Sequence, residues 1–169
     1  LGELSAEGVI FRYRALSGVP NREVKALLAE AHIVIDQLYS DTPLAGLGTE
    51  GAAYGCAVVV GGYGWKECET LISPEMMPPS IKVDPENFKE DLRDLLTDEE
   101  GCAETGKQLH HFIKTRWDAA LVAERYAAVL TEKIPDTWWV DPKKLGYTGG
   151  MGATKETIRT RLSELCAHC

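Results

Sequence analysis

The chain has 169 residues, enough for one domain with a sizeable core. Hydrophobic residues make up 44% and charged residues 26%, a globular composition, and no run of 18 apolar residues offers a membrane-spanning helix. The formal net charge of −8 argues against general nucleic-acid binding.

VIFRYRAL, residues 9–16, alternates and is rich in β-branched and aromatic residues, so it reads as a first strand. Gly18 and Pro20 form a turn, and Asn21 caps the helix REVKALLAEA, whose Val24, Leu27, Leu28 and Ala31 share a face. Ile33–Ile35 follows as a short apolar strand, suited to a parallel sheet covered on both sides. Gly48 and Thr49 lead into a helix expected over Glu50–Tyr54, which Gly55 ends; AVVVGG is the next strand. Residues 65–79 are irregular, broken by Pro74, Pro78 and Pro79, and SIKV forms a small last strand. Helices are expected from Asp84 to about Leu96, from Asp98 through Lys107 and His110, and from Trp117 to Leu130. Beyond Glu132 the sequence is loop-like until Thr154, which caps a final helix with Thr157, Ile158, Leu162 and Leu165 on one usable face.

Strands alternating with helices predict an α/β fold with a parallel sheet. Residues 1–132 hold 12 basic and 22 acidic side chains, residues 133–169 hold 6 and 4, and the pattern changes at the same place. A body over 1–132 and a tail over 133–169 are therefore expected.

The chemistry concentrates in residues 41–64, which hold seven of the sixteen glycines and one glutamate, Glu50. In an open parallel sheet ligands bind beyond the carboxyl ends of the strands. Gly46, Gly48 and Gly51 follow one strand, and Gly61, Gly62 and Gly64 follow the next, so both turns open onto one edge. A helix beginning near Glu50 offers free N–H groups suited to phosphate, and a carboxylate there accepts hydrogen bonds from the vicinal hydroxyls of a ribose. A first-turn acid without a ligand is the bland alternative.

GVPNREVKALLAEAHIVIDQL followed by TEGAAYGCAVVVGGYG resembles the carboxyl-terminal nucleotide-binding half of GT-B glycosyltransferases, with their Glu-Ala-x-Ala-x-Gly-x-Pro-Val-Val pattern. IKVDPENFKEDLRDLLTDEE and GKQLHHFIKTRWDAALVAERYAAVL resemble that family's small strand and closing helices, so the likeness spans residues 9–132. It implies a Rossmann-like parallel sheet flanked by helices and incomplete at the amino-terminal side. It also implies that Glu50 binds the ribose of a nucleotide diphosphate sugar donor, with Gly46, Gly48 and Thr49 beside the diphosphate or sugar. Thr42 stands where many members carry a first glutamate on the donor sugar, and Ala57 stands at the usual proline. No cofactor or metal is implied. The basic groups that grip the diphosphate, and the catalytic base, belong to units missing here. The expectation is a fragment or subunit of a glycosyltransferase, completed by an amino-terminal domain or second polypeptide; the alternative is a non-catalytic binding or assembly subunit.

Other candidates have bland readings beside them. His110-His111 are adjacent and converge poorly as metal ligands, so a packed and a surface histidine are expected. Cys166-Ala167-His168-Cys169 lacks the second pair a zinc site needs, and the scattered Cys56, Cys68 and Cys102 suit reduced thiols in a cytoplasmic protein. Asp36 and Gln37 border the pocket or form the turn. Lys66 reaches a phosphate or solvent. Trp138-Trp139 anchor a partner or pack on the body, and Gly149–Gly152 is an anion site or a hinge.

Overall fold

A computed structural model describes residues 1–40, 42–63, 65, 69, 72–139 and 155–167. The expectations for Gly64, Lys66, Cys68, the loop from residue 140, Gly149–Gly152, the Thr154 cap, His168 and Cys169 lie outside the described residues. Three parallel strands form an open sheet in the order β1 (Ile33–Ile35), β2 (Ala57–Gly61), β3 (Ile81–Val83). Ile33, Val34 and Ile35 face Ala57, Val58 and Val59, and Val59, Val60 and Gly61 face Ile81, Lys82 and Val83. Every residue of central β2 is buried, as its apolar run requires.

Seven α-helices have both ends within the described residues: α1 (Gly2–Ala6), α2 (Asn21–Leu28), α3 (Gly46–Ala53), α4 (Phe88–Thr97), α5 (Glu99–Arg116), α6 (Ala119–Leu130) and α7 (Lys155–Ala167). The core joins Val34, Val58 and Val60 of the sheet to Leu28 of α2, Ala52 of α3 and Leu109, Phe112 and Ile113 of α5. Asp98 caps α5 by accepting the Gly101 N–H at 2.9 Å, and Asp118 caps α6 through the Ala120 N–H at 2.9 Å. Trp117, expected to open the last body helix, instead closes α5 and meets Phe112 edge-on at 5.5 Å. Asp84 does not begin a helix; its carboxylate accepts the Glu86 N–H at 3.0 Å in a turn ahead of α4. On α7, Leu162 and Leu165 are exposed rather than packed.

The largest difference from expectation is at the amino terminus. Residues 9–16 form no strand, and Ile10 is 95% exposed. Alternation makes a segment fit a sheet, but a strand exists only where a neighbour supplies the ladder. Among the described residues no neighbour does so, and β1 pairs with β2 alone. The chain instead begins with α1, which the sequence pattern did not suggest. Leu4 is buried, and Glu3 and Glu7 pair with Lys89 and Arg93 of α4. Hydrogen bonds from Lys89 hold the Glu3 and Glu7 carboxyls below their ordinary 4.5, with Arg93 adding to the effect at Glu7. A depressed folded-state value stabilises above the ordinary one and is lost as pH falls through it. Amide protection of α1 is therefore expected to drop below about pH 4.5 while that of α5 persists. Hydrogen exchange across an acid series, with protection factors corrected for intrinsic rates, checks this.

Candidate functional site

β1 ends at Ile35, and the loop to α3 is tied down along its length. The Asp36 N–H donates to Val59 O at 3.0 Å, Gly61 N–H to Gln37 O at 2.6 Å, and Ser40 N–H to Gly61 O at 3.0 Å. This loop therefore runs tight against the end of β2. A Cβ on Gly61 would collide with the Leu38 carbonyl, and one on Gly62 would come within 2.9 Å of Ser40 O. Buried Ser40 donates its hydroxyl to Thr42 O at 2.8 Å, and Ser80 donates to Pro43 O at 2.6 Å. The Thr42 hydroxyl is engaged locally, donating to Leu44 O at 3.2 Å.

Four of the glycines in this region thus serve packing. Gly48 lies where a Cβ would fall 2.7 Å from Asp36 Oδ2 and 2.9 Å from Val58; Gly51 lies where one would fall 2.8 Å from Val34. These approaches let α3 lie directly on β1 and β2. Gly46 differs, being exposed with nothing within 4 Å of a Cβ position.

Helix α3 begins at Gly46, four residues earlier than expected, so Glu50 sits in its second turn and the first turn carries no acid. The reading of Glu50 as a dipole-stabilised helix-start residue does not hold. Asp36 takes that place: its Oδ2 accepts the Ala45 and Gly48 N–H groups, each at 3.1 Å. The helix therefore starts early because a carboxylate from the end of β1 satisfies two of its leading donors. Gly46 and Leu47, the first two helical residues, face solvent.

Glu50 is half-buried, and Asn21 donates its side-chain amide to Oε2 at 3.3 Å. Asn21 is the first residue of α2, not its cap; Pro20 holds that position. Helices α2 and α3 each run back from the carboxyl edge of the sheet, so their starts lie together there. Glu50 bridges them. Thr49 donates its hydroxyl to Ala45 O at 2.8 Å and lines a groove of about 570 Å³ with Trp117, Tyr126 and Trp138. The five expected donor-binding residues, Thr42, Gly46, Gly48, Thr49 and Glu50, thus belong to one loop-and-helix unit. Its polar groups are largely bonded within that unit.

Several features were not legible in the sequence. Arg161 of α7 lies 3.8 Å over the Tyr63 ring and pairs with Glu86 at 3.2 Å; Tyr39 lies 6.4 Å from Tyr63. These contacts bring α7 to the carboxyl edge across long sequence separations that no spacing rule signals. Trp65, just beyond β2, is buried with its indole N–H unpartnered among the described residues.

His110 packs with Nδ1 3.3 Å from Ala52 O, while His111 is exposed. Cys56 and Cys102 are free and buried, and burial raises both thiols above their ordinary value. No three His, Cys, Asp or Glu side chains converge on a metal-sized site among the described residues, and no described helix is long and apolar enough to cross a membrane. Compared with protein-family models, curated proteins and solved structures, the chain matches none.

Proposed function

We propose that this chain is the donor-binding part of a GT-B-type glycosyltransferase, holding a nucleotide diphosphate sugar at the carboxyl edge of its sheet. The observation that carries the reading is Glu50, half-buried where α2 and α3 begin, with one side-chain amide as its partner among the described residues. A diol replacing that amide gives the carboxylate two hydrogen bonds in place of one. The exposed start of α3 at Gly46 and Leu47 lies one turn before Glu50, and the reading puts the diphosphate there. Thr49 and Thr42 flank that start. Glu50 positions the nucleoside and moves no proton. The acceptor and the catalytic base belong to an amino-terminal domain or a second polypeptide. Among the described residues, the edge of β1 away from β2 and the strand-patterned residues 9–16 have no strand partner, which supports such a partner.

Titration of uridine, guanosine and adenosine diphosphates and their glucose conjugates by calorimetry tests the reading in the complete assembly. Glu50→Ala is expected to weaken the preferred ligand by roughly 10-fold or more, the worth of hydrogen bonds to a charged acceptor. Equal affinity in wild type and variant removes the assignment.

A specific observation favours the second reading, a non-catalytic binding or assembly subunit. Asp36 already occupies two of the leading donors of α3, so a diphosphate there would sit beside a carboxylate. Release of nucleotide diphosphate by the assembly, with and without this chain, separates the two. Turnover that persists in its absence favours the subunit.

A further inference from the structure

Helix α6 is apolar around its whole circumference yet has no buried residue; Glu124 and Arg125 are its only charged side chains. A helix of that composition is normally covered. Its outward stripe is Ala119, Ala123, Tyr126 and Leu130, spaced four, three and four, the repeat with which two helices pack along a seam. The stripe has a second property. About the midpoint between Glu124 and Arg125, an antiparallel copy of the helix sets Ala119 against Leu130 and Ala123 against Tyr126. Each large side chain of the stripe meets an alanine.

We infer that α6 is a self-association surface on which a second copy of this chain packs antiparallel about a two-fold axis. Such an interface is isologous, so one stripe must complement itself, as this one does in size. The alanines let the helix axes approach closely while Tyr126 and Leu130 fill the space across each alanine.

The available area agrees. Tyr126, Val129 and Leu130 are 69%, 49% and 83% exposed, and the adjoining Trp138 and Trp139 are 42% and 69% exposed. With large side chains burying roughly 150–250 Å² each, they offer on the order of 600 Å² of apolar surface per copy. A standard interface takes about 800 Å² per partner. The groove lined by Tyr126, Val129 and Trp138 continues the patch. Although the chain carries a net charge of −8, the helix itself is neutral, so it adds no net repulsion to the contact.

Sedimentation equilibrium of the full chain over a concentration series tests the inference. A concentration-dependent dimer is expected. Ala123→Glu and Tyr126→Lys, each alone, are expected to raise the dimer dissociation constant roughly 30-fold or more. An equimolar mixture of the two variants should recover the dimer, because the new acid and base then face each other across the axis while the wild-type pair fills the other site. Leu130→Glu serves as a third single variant. All three positions are exposed, and unchanged circular dichroism confirms their folding. A wild type that stays monomeric overturns the inference and assigns the face to a different polypeptide. Single variants that stay dimeric overturn it, and a mixture that stays monomeric overturns the antiparallel register.

Discussion

Replacing Gly106 with alanine is expected to destabilise the protein by about 3 kcal/mol. Gly106 lies inside α5, where alanine normally favours the helix by about 1 kcal/mol over glycine. Here the sign reverses. The new Cβ would collide with the Gly55 carbonyl and sit 3.2 Å from the Ala57 N atom. Neither neighbour yields easily. Gly55 holds a left-handed turn at φ 84°, and the Ala57 N–H donates to His32 O at 2.9 Å at the start of the sheet. Helix α5 must therefore move outward, loosening Leu109 and Phe112 from Val58 and Val60. Urea unfolding of wild type and variant measures the difference. A variant as stable as wild type would mean that α5 does not press on this turn.

Removing the Asp36 carboxylate is the second substitution with a large expected effect. Asp36→Ala deletes the acceptor of two charge-assisted hydrogen bonds and leaves the Ala45 and Gly48 N–H groups at a partly buried helix start. Lost caps and hydrogen bonds to charged groups suggest a cost of about 2–3 kcal/mol. It also leaves a gap against Gly48, whose backbone packs on that oxygen. Asp36→Asn keeps one acceptor oxygen and the side-chain shape, so it is expected to cost about half as much. The same pair of variants bears on the proposed donor site. If a diphosphate uses the start of α3, removing the neighbouring carboxylate strengthens diphosphate binding even as it weakens the fold. Urea unfolding and diphosphate titration on one preparation read both effects. Weaker binding together with lower stability would place the diphosphate elsewhere.

The α/β class was legible because it depends on local pattern. The apolar runs at Ile33–Ile35 and Ala57–Val60 could only be buried strands, and the intervening helices force them to lie parallel. Asp98 marked the start of α5 because a cap acts within three residues of itself. Long-range substitutions for local signals were not legible. Asp36 caps a helix that begins ten residues later, so α3 starts at Gly46 although Glu50 looked like its first residue. Gly48, Gly51, Gly61 and Gly62, which suggested a phosphate cradle, prove to be places where backbone or side chains come too close for a Cβ.

For this protein the sequence by itself determined that helices follow residue 20 in alternation with strands, which two strands are fully apolar, and that a lone glutamate stands between two glycine-rich turns. Only the tertiary structure decided that residues 9–16 join no described strand, that α1 clamps onto α4, that Asn21 holds Glu50, and that α6 keeps its apolar stripe outward. The physical reason is one of range. Propensity, periodicity and capping act over a few residues. Ladder partners, ion pairs and close backbone approaches depend on which distant elements meet, and their residues carry no mark of that meeting in the order of the chain.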